Sequence, residues 1–390
     1  MLMNDVCKEG SVIIAGMTFS DSLPKLLNEP KIKDDEQGFN PPNTYVGKIS
    51  ADGVLLWTLY IGGENLDDLR GGDLKVSPEG KIYISGTTTS PDLANNAQDG
   101  LKGEKDAFIV KLNMDGNIIW KRYLGGQGIE ESSILGFARD GDLLVAGNTN
   151  SKDLPMKTND IYGENDMFLS KLSATTGEIR WTTYINSEAE DIPECMEVDS
   201  DGNIYLLGNS NIDLDVFDAE IEKYQLPEML NMREKDYGFL FLVKISPEGD
   251  VEWSKHVGGV GWNMALDHRN RILISGTTRS NNLARRLNDR IGQLDIFLTR
   301  ITTYGDREWS FYFGGRNNDF GPAALTINGN NTAFLTSTTD SPDIPNRLNE
   351  FHRGEDDDRT PRNIFVSRIR LPEIRDEAVG EDGVDENGDE

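Results

Sequence analysis

Residues 106–126 read DAFIVKLNMDGNIIWKRYLGG, and this stretch decides the fold. Its two apolar runs are rich in β-branched residues. They flank NMDGN, a hairpin turn signal in which Gly116 can take a positive φ. The second run ends in the pattern W-x-x-Y-x-G-G, from Trp120 to Gly126. The stretch therefore predicts two antiparallel strands followed by a glycine-containing turn.

The same pattern recurs along the chain. Trp57, Trp120, Trp181, Trp253 and Trp309 follow one another at spacings of 63, 61, 72 and 56 residues. Upstream of each Trp lies an aromatic residue, and a base follows it three positions later. A sixth such pair has no Trp after it, and the six pairs are Tyr45/Lys48, Phe108/Lys111, Phe168/Lys171, Phe241/Lys244, Phe297/Arg300 and Phe365/Arg368. Repetition at this period predicts a fold built from similar units.

Each unit contains four short strands, which we name A to D in chain order. An apolar run lies on either side of a DG- or EG-type turn, and the second run ends in a block such as SGTTTS, which starts at Ser85 in the second unit. Four strands per unit, repeated about six times, are typical of a β-propeller. We predict an all-β, six-bladed propeller of four-stranded antiparallel blades, with seven blades as the alternative if an upstream segment is missing. The predicted blades are about 1–63, 64–126, 127–187, 188–259, 260–315 and 316–370.

The last blade departs from the repeat. LPEIRDEAV follows Arg370 where strand D and its Trp are expected, so we predict that this blade lacks its outer strand unless residues 371–380 supply a weak substitute. Residues 371–390 carry nine acids and one base, which predicts a disordered acidic tail.

The repeat resembles the SBBP type of bacterial β-propeller repeat. The resemblance rests on GG-x4-D followed by DG-N-I-Y-x-x-G-x-T-x-S-x-D-L-P, and its best stretches are Gly125 to Pro155 and Asp199 to Asn211. It implies a propeller, usually on exported or surface proteins, with binding roles. KLSATTGEIRW, which ends at Trp181, is similar to a repeat of pyrroloquinoline-quinone-type propellers. The cofactor-binding residues of those enzymes have no match in this chain.

Composition excludes several classes of function. The chain has 390 residues and a net charge of −28, which argues against a nucleic-acid partner because phosphate binding needs a basic surface. No apolar run is long enough for a membrane span, and no signal peptide precedes the repeats. We therefore expect a monomer, cytoplasmic if Met1 is the native start, although the resemblance implies the cell surface. No motif for nucleophilic or metal-dependent catalysis is present.

Two columns of polar residues are candidate binding sites. The first begins strand A and comprises Asp67, Glu130, Asp191, Asn263 and Asp319. These side chains could form a ring at the channel mouth that attracts calcium, or each could accept hydrogen bonds that join neighbouring blades, which is the interpretation we favour. The second column begins the long B–C connections and includes Asp92, Asp153 and Asp343. Trp262, which breaks the repeat in VGGVGWNMALD, is the aromatic residue we expect to contact a ligand.

The B–C connections hold most of the variation in length and sequence. They span about 17–43, 87–105, 148–165, 209–237, 277–294 and 338–362, and long loops in a compact fold are often functional. The leading hypothesis is a non-catalytic binding or scaffold protein that binds a protein or a glycan with this loop face. The alternatives are a hydrolase, lyase or quinoprotein with its site at the axial channel, and a structural cell-surface module. No cofactor is predicted.

Overall fold

The computed structural model describes residues 2–30, 42–94, 100–161, 165–185, 190–210, 239–329, 331–345 and 363–372. The acidic tail from residue 373 and the B–C connection at 211–238 lie outside these residues. The described elements are all β-strands, and they form six antiparallel sheets in chain order. No described segment forms a helix that could cross a membrane.

Within the first five sheets the strands are ordered A to D, each paired with the next along the chain. The first sheet contains β1 (Leu2–Val6), β2 (Val12–Thr18), β3 (Asn43–Ile49) and β4 (Leu55–Ile61). In the second sheet, strand A is divided into β5 (Asp67–Asp68) and β6 (Leu74–Val76), and β7 (Ile82–Thr88), β8 (Asp106–Leu112) and β9 (Ile118–Leu124) follow. The third sheet contains β10 (Glu130–Phe137), β11 (Leu143–Thr149), β12 (Asp166–Leu172) and β13 (Ile179–Ile185).

The remaining sheets follow the same order. The fourth contains β14 (Asp191–Val198), β15 (Ile204–Ser210), β16 (Phe239–Ile245) and β17 (Val251–His256). The fifth contains β18 (Val260–Leu266), β19 (Ile272–Thr278), β20 (Asp295–Ile301) and β21 (Arg307–Phe313). The sixth contains three described strands, β22 (Asp319–Asn328), β23 (Thr332–Thr339) and β24 (Asn363–Arg370). The prediction of an all-β propeller of four-stranded antiparallel sheets is confirmed. Whether the last blade lacks strand D stays a prediction, because residues 373–380 lie outside the described residues.

The repeated residues hold the strands in register. In each of the first five sheets the base of strand C lies directly opposite the Trp of strand D, as in the pair Lys111 and Trp120. The aromatic residue of strand C lies opposite the Tyr or His of strand D, as in the pair Phe108 and Tyr123. Cross-strand pairs of this kind stabilise a sheet. The residues that repeat in the sequence are therefore cross-strand neighbours in the pairing of strands C and D.

The core lies between successive sheets. In the central strands β7 and β8 every residue is buried, because each face of the second sheet contacts a neighbouring sheet. In the sixth sheet, one face of β24 is only partly buried, and Ile364 and Val366 on the other face are 77% and 69% exposed. This face has no neighbour among the described residues. The number of blades in the complete ring therefore stays a prediction.

Candidate functional site

The acids that begin strand A are buried hydrogen-bond acceptors. Asp67 begins β5, where its Oδ1 accepts the hydroxyl hydrogen of Thr88 at 2.5 Å and its Oδ2 accepts the N–H of Gly63 at 2.7 Å. Ser90 donates its hydroxyl hydrogen to the same Oδ2 at 3.1 Å. Each donor belongs either to the end of strand B or to the turn that precedes strand A. The carboxylate therefore fastens the D–A turn, which connects one sheet to the next.

The same arrangement recurs at Glu130 and Asp319. Glu130 accepts hydrogen bonds from the hydroxyl of Thr149 at 2.6 Å and from the N–H of Gly126 at 2.9 Å. Asp319 accepts hydrogen bonds from Thr339 at 2.5 Å and from Gly315 at 2.8 Å. These acids and Asp191, the first residue of β14, are essentially inaccessible to solvent. In the described structure these carboxylates join the sheets.

The two glycines of the repeat are needed because carboxylates fill the space beside them. A Cβ added at Gly62 would lie 2.4 Å from Oδ2 of Asp67, and one added at Gly63 would lie 2.2 Å from Oδ1 of Asp92. Real side chains do not approach so closely without displacing a neighbour. The W-x-x-Y-x-G-G pattern therefore makes room for two acids, one from strand A and one from the B–C connection.

Asp92, Asp153 and Asp343 belong to these turns as well. Asp92 Oδ1 accepts the N–H of Glu64 at 2.8 Å, and Asp153 Oδ1 accepts the N–H of Gln127 at 2.9 Å. Asp343 accepts the N–H of Arg316 at 3.0 Å and pairs with its guanidinium at 2.6 Å. The structure brings each of these acids together with the strand A acid of its own sheet.

Asn263 does not share this arrangement, and its assignment to the column was wrong. It lies inside β18, opposite Ser275, whereas the acids are the first residues of their strands. The turn from His256 to Val260 contains Gly258 and Gly259, both with positive φ, and is shorter than the turn from Tyr60 to Asp67. In the other sheets the acid lies seven residues after the Tyr of strand D. Because this turn is shorter, the seventh residue after His256 already lies inside β18.

Burial raises the pKa of three of the strand A acids. Desolvation is the largest cause for Asp67, Glu130 and Asp319, and the hydrogen bonds from hydroxyl and N–H donors lower the pKa in part. For Asp319 the result is a pKa of about 6, to which the charge of nearby Asp295 also contributes. Within the described ranges, no cluster of three or more His, Cys, Asp or Glu side chains could hold a metal ion. The calcium ring remains a hypothesis.

A second set of buried acids begins strand C, and the sequence analysis did not identify it. Asp106 accepts the N–H groups of Lys102 and Gly103 at 2.9 and 3.1 Å, and Asp295 accepts those of Ile291 and Gly292 at 2.7 and 2.8 Å. The signal was the acid that precedes the aromatic column by two residues. These acids end the B–C connections, as the strand A acids end the D–A turns.

Trp262 lies on an innermost strand and packs against the next sheet. Its ring covers Gly321 in β22, where an added Cβ would lie 1.9 Å from ring atom Cζ3. The side chain is 37% exposed, so part of the ring is accessible to a ligand. The described residues do not indicate what kind of ligand this would be, and contact between Trp262 and a ligand stays a prediction.

A motif in the B–C connections, L-[PA]-x-x-x-N, was also missed. In the first, third and fifth sheets, its Asn side chain donates to the carbonyl of the strand D Tyr and accepts the N–H of the same Tyr, and the pairs are Asn28/Tyr60, Asn159/Tyr184 and Asn288/Tyr312. A residue with positive φ lies three positions earlier, at Lys25, Met156 or Arg285. Its carbonyl accepts an N–H from the middle of strand D. The motif therefore covers the outer edge of these three sheets.

A partly buried His at the end of the fourth sheet interacts with a buried Arg of the fifth sheet. Arg307 is buried and donates hydrogen bonds to the carbonyl of Val257 and to the hydroxyl of Ser310. Burial, together with the charge of Arg307, lowers the pKa of His256 to about 4, so its imidazole is neutral near pH 7. His256 takes the place of the strand D Tyr of the other sheets.

Comparison with known proteins agrees with the fold. Residues 180–215 match the SBBP family, described as a beta-propeller repeat. The regulatory protein FlaEY of Caulobacter vibrioides is 26% identical over 147 residues, which are 36% of this chain and 14% of FlaEY. The chain therefore corresponds to a small part of that longer protein.

Several solved structures are also similar. The β-propeller domain of the Trilobed protease from Pyrococcus furiosus has a TM-score of 0.42 and 8% identity over 96% of this chain and 86% of that chain. A polysaccharide lyase of family PL25, an ulvan lyase, has a TM-score of 0.42 and 11% identity over 85% of this chain and 78% of that chain. The family match at residues 180–215 is to the SBBP β-propeller repeat, the repeat that the sequence resembles.

Proposed function

We propose that this protein is a non-catalytic binding or scaffold protein, whose B–C connections hold a partner protein. The proposal is supported by a difference in role between the residues that repeat in every sheet and the residues that vary from one sheet to the next. The repeated acids, glycines and aromatic residues make contacts within the fold, as the hydrogen bonds of Asp67 and Glu130 illustrate. Recognition of a partner is then left to side chains that differ from one sheet to the next.

The observation that carries the proposal is a set of exposed apolar side chains on these connections. Phe19 is 70% exposed and Met156 is 62% exposed, and Leu27, Leu287 and Ile291 are exposed as well. They belong to the B–C connections of the first, third and fifth sheets. Aromatic residues and Met are enriched in protein interfaces, and groups of exposed apolar residues mark interaction sites. Aliphatic side chains favour a protein partner over a glycan, which binds best on flat aromatic surfaces.

The net charge of the chain indicates which kind of partner segment it would bind. The chain has a net charge of −28. On the connections of the third and fifth sheets, the exposed acids Asp160 and Asp289 each pair with a base of the same connection, Lys157 or Arg286. A partner segment with basic and apolar side chains is therefore complementary to the net charge of the chain. Binding should then weaken as salt is added, because screening reduces the attraction between exposed charges.

A hydrolase or lyase site near the axis is the second candidate. It is favoured by Glu194 and Glu197 on the innermost strand β14, whose pKa values are raised mainly by burial. A carboxyl group with a raised pKa can serve as a general acid. Glu194 accepts a hydrogen bond from Asn209 at 2.7 Å, which fixes its orientation.

The test is selection of a random peptide library on the full chain, followed by affinity measurements with the peptides obtained. Phe19→Ser with Met156→Ser and Leu287→Ser should weaken binding at least about tenfold, as expected for loss of central apolar contacts. Val54→Ser with Ile119→Ser and Val251→Ser changes three exposed apolar residues outside the B–C connections and should leave the affinity unchanged. Equal effects of the two triple variants would show that the loop residues do not form the site.

A further inference from the structure

The B–C connection of the fifth sheet has the opposite charge to the rest of the chain. Residues 277–294 contain four Arg and one Asp, whereas each of the other five B–C connections contains more acids than bases. The four bases are Arg279, Arg285, Arg286 and Arg290. A chain with a net charge of −28 therefore has one basic segment among these connections.

The bases are not needed to form the connection. In the third sheet, Met156 stands at the position of Arg285, and Asp153 stands at the position of Asn282. Both connections nevertheless bind strand D through the same contacts of the motif Asn with the strand D Tyr. The excess of Arg in the fifth connection is therefore available for a role other than folding.

The basic segment is held in place by the sheet beneath it. Asn288 binds the N–H and the carbonyl of Tyr312, each at 2.8 Å. Asp295, the first residue of β20, accepts the N–H groups of Ile291 and Gly292 at 2.7 and 2.8 Å. A segment that is fixed before binding loses less conformational entropy when a ligand binds. The bases therefore lie on a preorganised surface.

Two guanidinium groups are oriented by neighbouring amides. Nη1 of Arg286 donates to Oδ1 of Asn282 at 3.0 Å, and Nε of Arg290 donates to Oδ1 of Asn281 at 2.7 Å. The exposed Asp289 pairs with Arg286 through Nε, at 3.3 Å. Nη2 of each Arg has no acceptor in the described part of the chain. Because exposed ion pairs are weak, a ligand carboxylate can compete for these groups.

Two further bases extend this surface. Arg285 is exposed and forms no ion pair within the described ranges. The side chain of Arg316 is 80% exposed, and its Nε pairs with Asp343 at 2.6 Å. The turn that contains Arg316 packs against the connection, because a Cβ added at Gly292 would lie 2.6 Å from the carbonyl oxygen of Gly315. The turn before the sixth sheet therefore adds a base beside the fifth connection.

The chemistry of this surface fits an acidic polypeptide segment. Guanidinium groups bind carboxylates through two parallel hydrogen bonds. Leu287 and Ile291, which are 56% and 49% exposed, belong to the same segment and can contact an apolar residue of the ligand. Nucleic acid fits less well, because the net charge of −28 repels a long phosphate chain.

We propose that the fifth B–C connection binds an acidic segment of a partner protein. Arg285, Arg286 and Arg290 would pair with its Asp and Glu side chains, and Leu287 and Ile291 would contact apolar residues between those acids. The site extends the proposed function without depending on it, because it takes a ligand of the opposite charge at a single connection.

The experiment uses the full chain and a fluorescein-labelled peptide that repeats Glu-Leu-Asp four times. We expect saturable binding, measured by anisotropy, that weakens as salt is added. A matched peptide that repeats Gln-Leu-Asn keeps the apolar residues but lacks the carboxylates. It should bind at least about tenfold more weakly.

Two measurements locate the site. The triple variant Arg285→Ser with Arg286→Ser and Arg290→Ser should bind the acidic peptide at least about tenfold more weakly. Phenylglyoxal modifies accessible Arg side chains, and mass spectrometry should show slower modification of Arg285 when the peptide is bound. Arg139, an exposed base of an A–B turn, should react at the same rate with and without the peptide.

The control removes the same charge at the opposite end of the strands. Lys8→Ser with Arg139→Ser and Arg269→Ser changes exposed bases of three A–B turns and should leave the affinity unchanged. The proposal is overturned if the acidic peptide does not bind or if the two triple variants weaken binding equally. A single-stranded oligonucleotide that binds the full chain as tightly as the peptide would also overturn it.

Discussion

Asn159 binds both backbone polar groups of Tyr184. Its Nδ2 donates to the Tyr184 carbonyl at 2.8 Å, and its Oδ1 accepts the Tyr184 N–H at 2.8 Å. One side chain thus completes the hydrogen bonds of an outer-strand residue. The edge of the third sheet is thereby closed by the same chain, which protects it from pairing with another strand.

Asn159→Ala should lower the free energy of unfolding by about 1–3 kcal/mol, because two partly buried backbone groups lose their partner. Asn159→Asp should be at least as destabilising, since a carboxylate oxygen would face the Tyr184 carbonyl. Urea unfolding measures both. The control is the neighbouring Asp160→Asn, an exposed change that should stay within about 0.5 kcal/mol. If Asn159→Ala matches this control, the edge contact does not contribute to stability.

Gly63→Ala should destabilise the protein by about 1–3 kcal/mol, because the new methyl group would overlap Asp92 and Ser90. Gly63 does not have a positive φ, so the loss would come from the overlap and not from backbone strain. Thermal and urea unfolding measure the effect. Gly100→Ala is the matched control, because a Cβ there has no neighbour within 4 Å. An equal, small effect at both glycines would contradict the packing explanation.

The sequence predicted the pairing of strands C and D but not the contacts that cover the outer edge of strand D. The Trp and base columns, such as Trp120 and Lys111, could be identified because a Trp follows a Lys or Arg by nine or ten residues within one hairpin. The Asn159 motif was missed because the strand that it binds lies about 25 residues away and periodicity within a strand does not predict such a contact. Asn263 was misplaced for a related reason, since counting assumes turns of equal length, and the D–A turn between the fourth and fifth sheets is shorter.

The buried acid Asp319 predicts a specific dependence of stability on pH. Burial raises its pKa to about 6, whereas an Asp in an unfolded chain has a pKa of about 3.9. Between these values the folded protein holds a proton that the unfolded chain has released. The contribution of Asp319 to the free energy of unfolding therefore falls as the pH rises through this window and is constant above it.

Asp319→Asn should make this decline shallower when unfolding by urea is measured from about pH 4 to 7. The other strand A acids act in the same direction, so the variant removes only part of the slope. Asp343→Asn is the control, because the N–H and guanidinium of Arg316 lower the pKa of Asp343 and give its contribution the opposite sign. A slope that is unchanged in Asp319→Asn would mean that Asp319 does not titrate in this range.

The last prediction separates the two roles considered for the acid column. Asp67 and Asp319 use both carboxylate oxygens for hydroxyl and N–H donors of their own turns, and a calcium ion would have to displace these donors. The double variant Asp67→Asn with Asp319→Asn should therefore be less stable by about 2–5 kcal/mol, since each Asn amide would face a donor. Any shift of the melting temperature caused by calcium should be the same in both proteins. A shift of more than about 3 °C in the parent chain that the double variant abolishes would instead favour a calcium ring, because a ligand stabilises only the state that binds it.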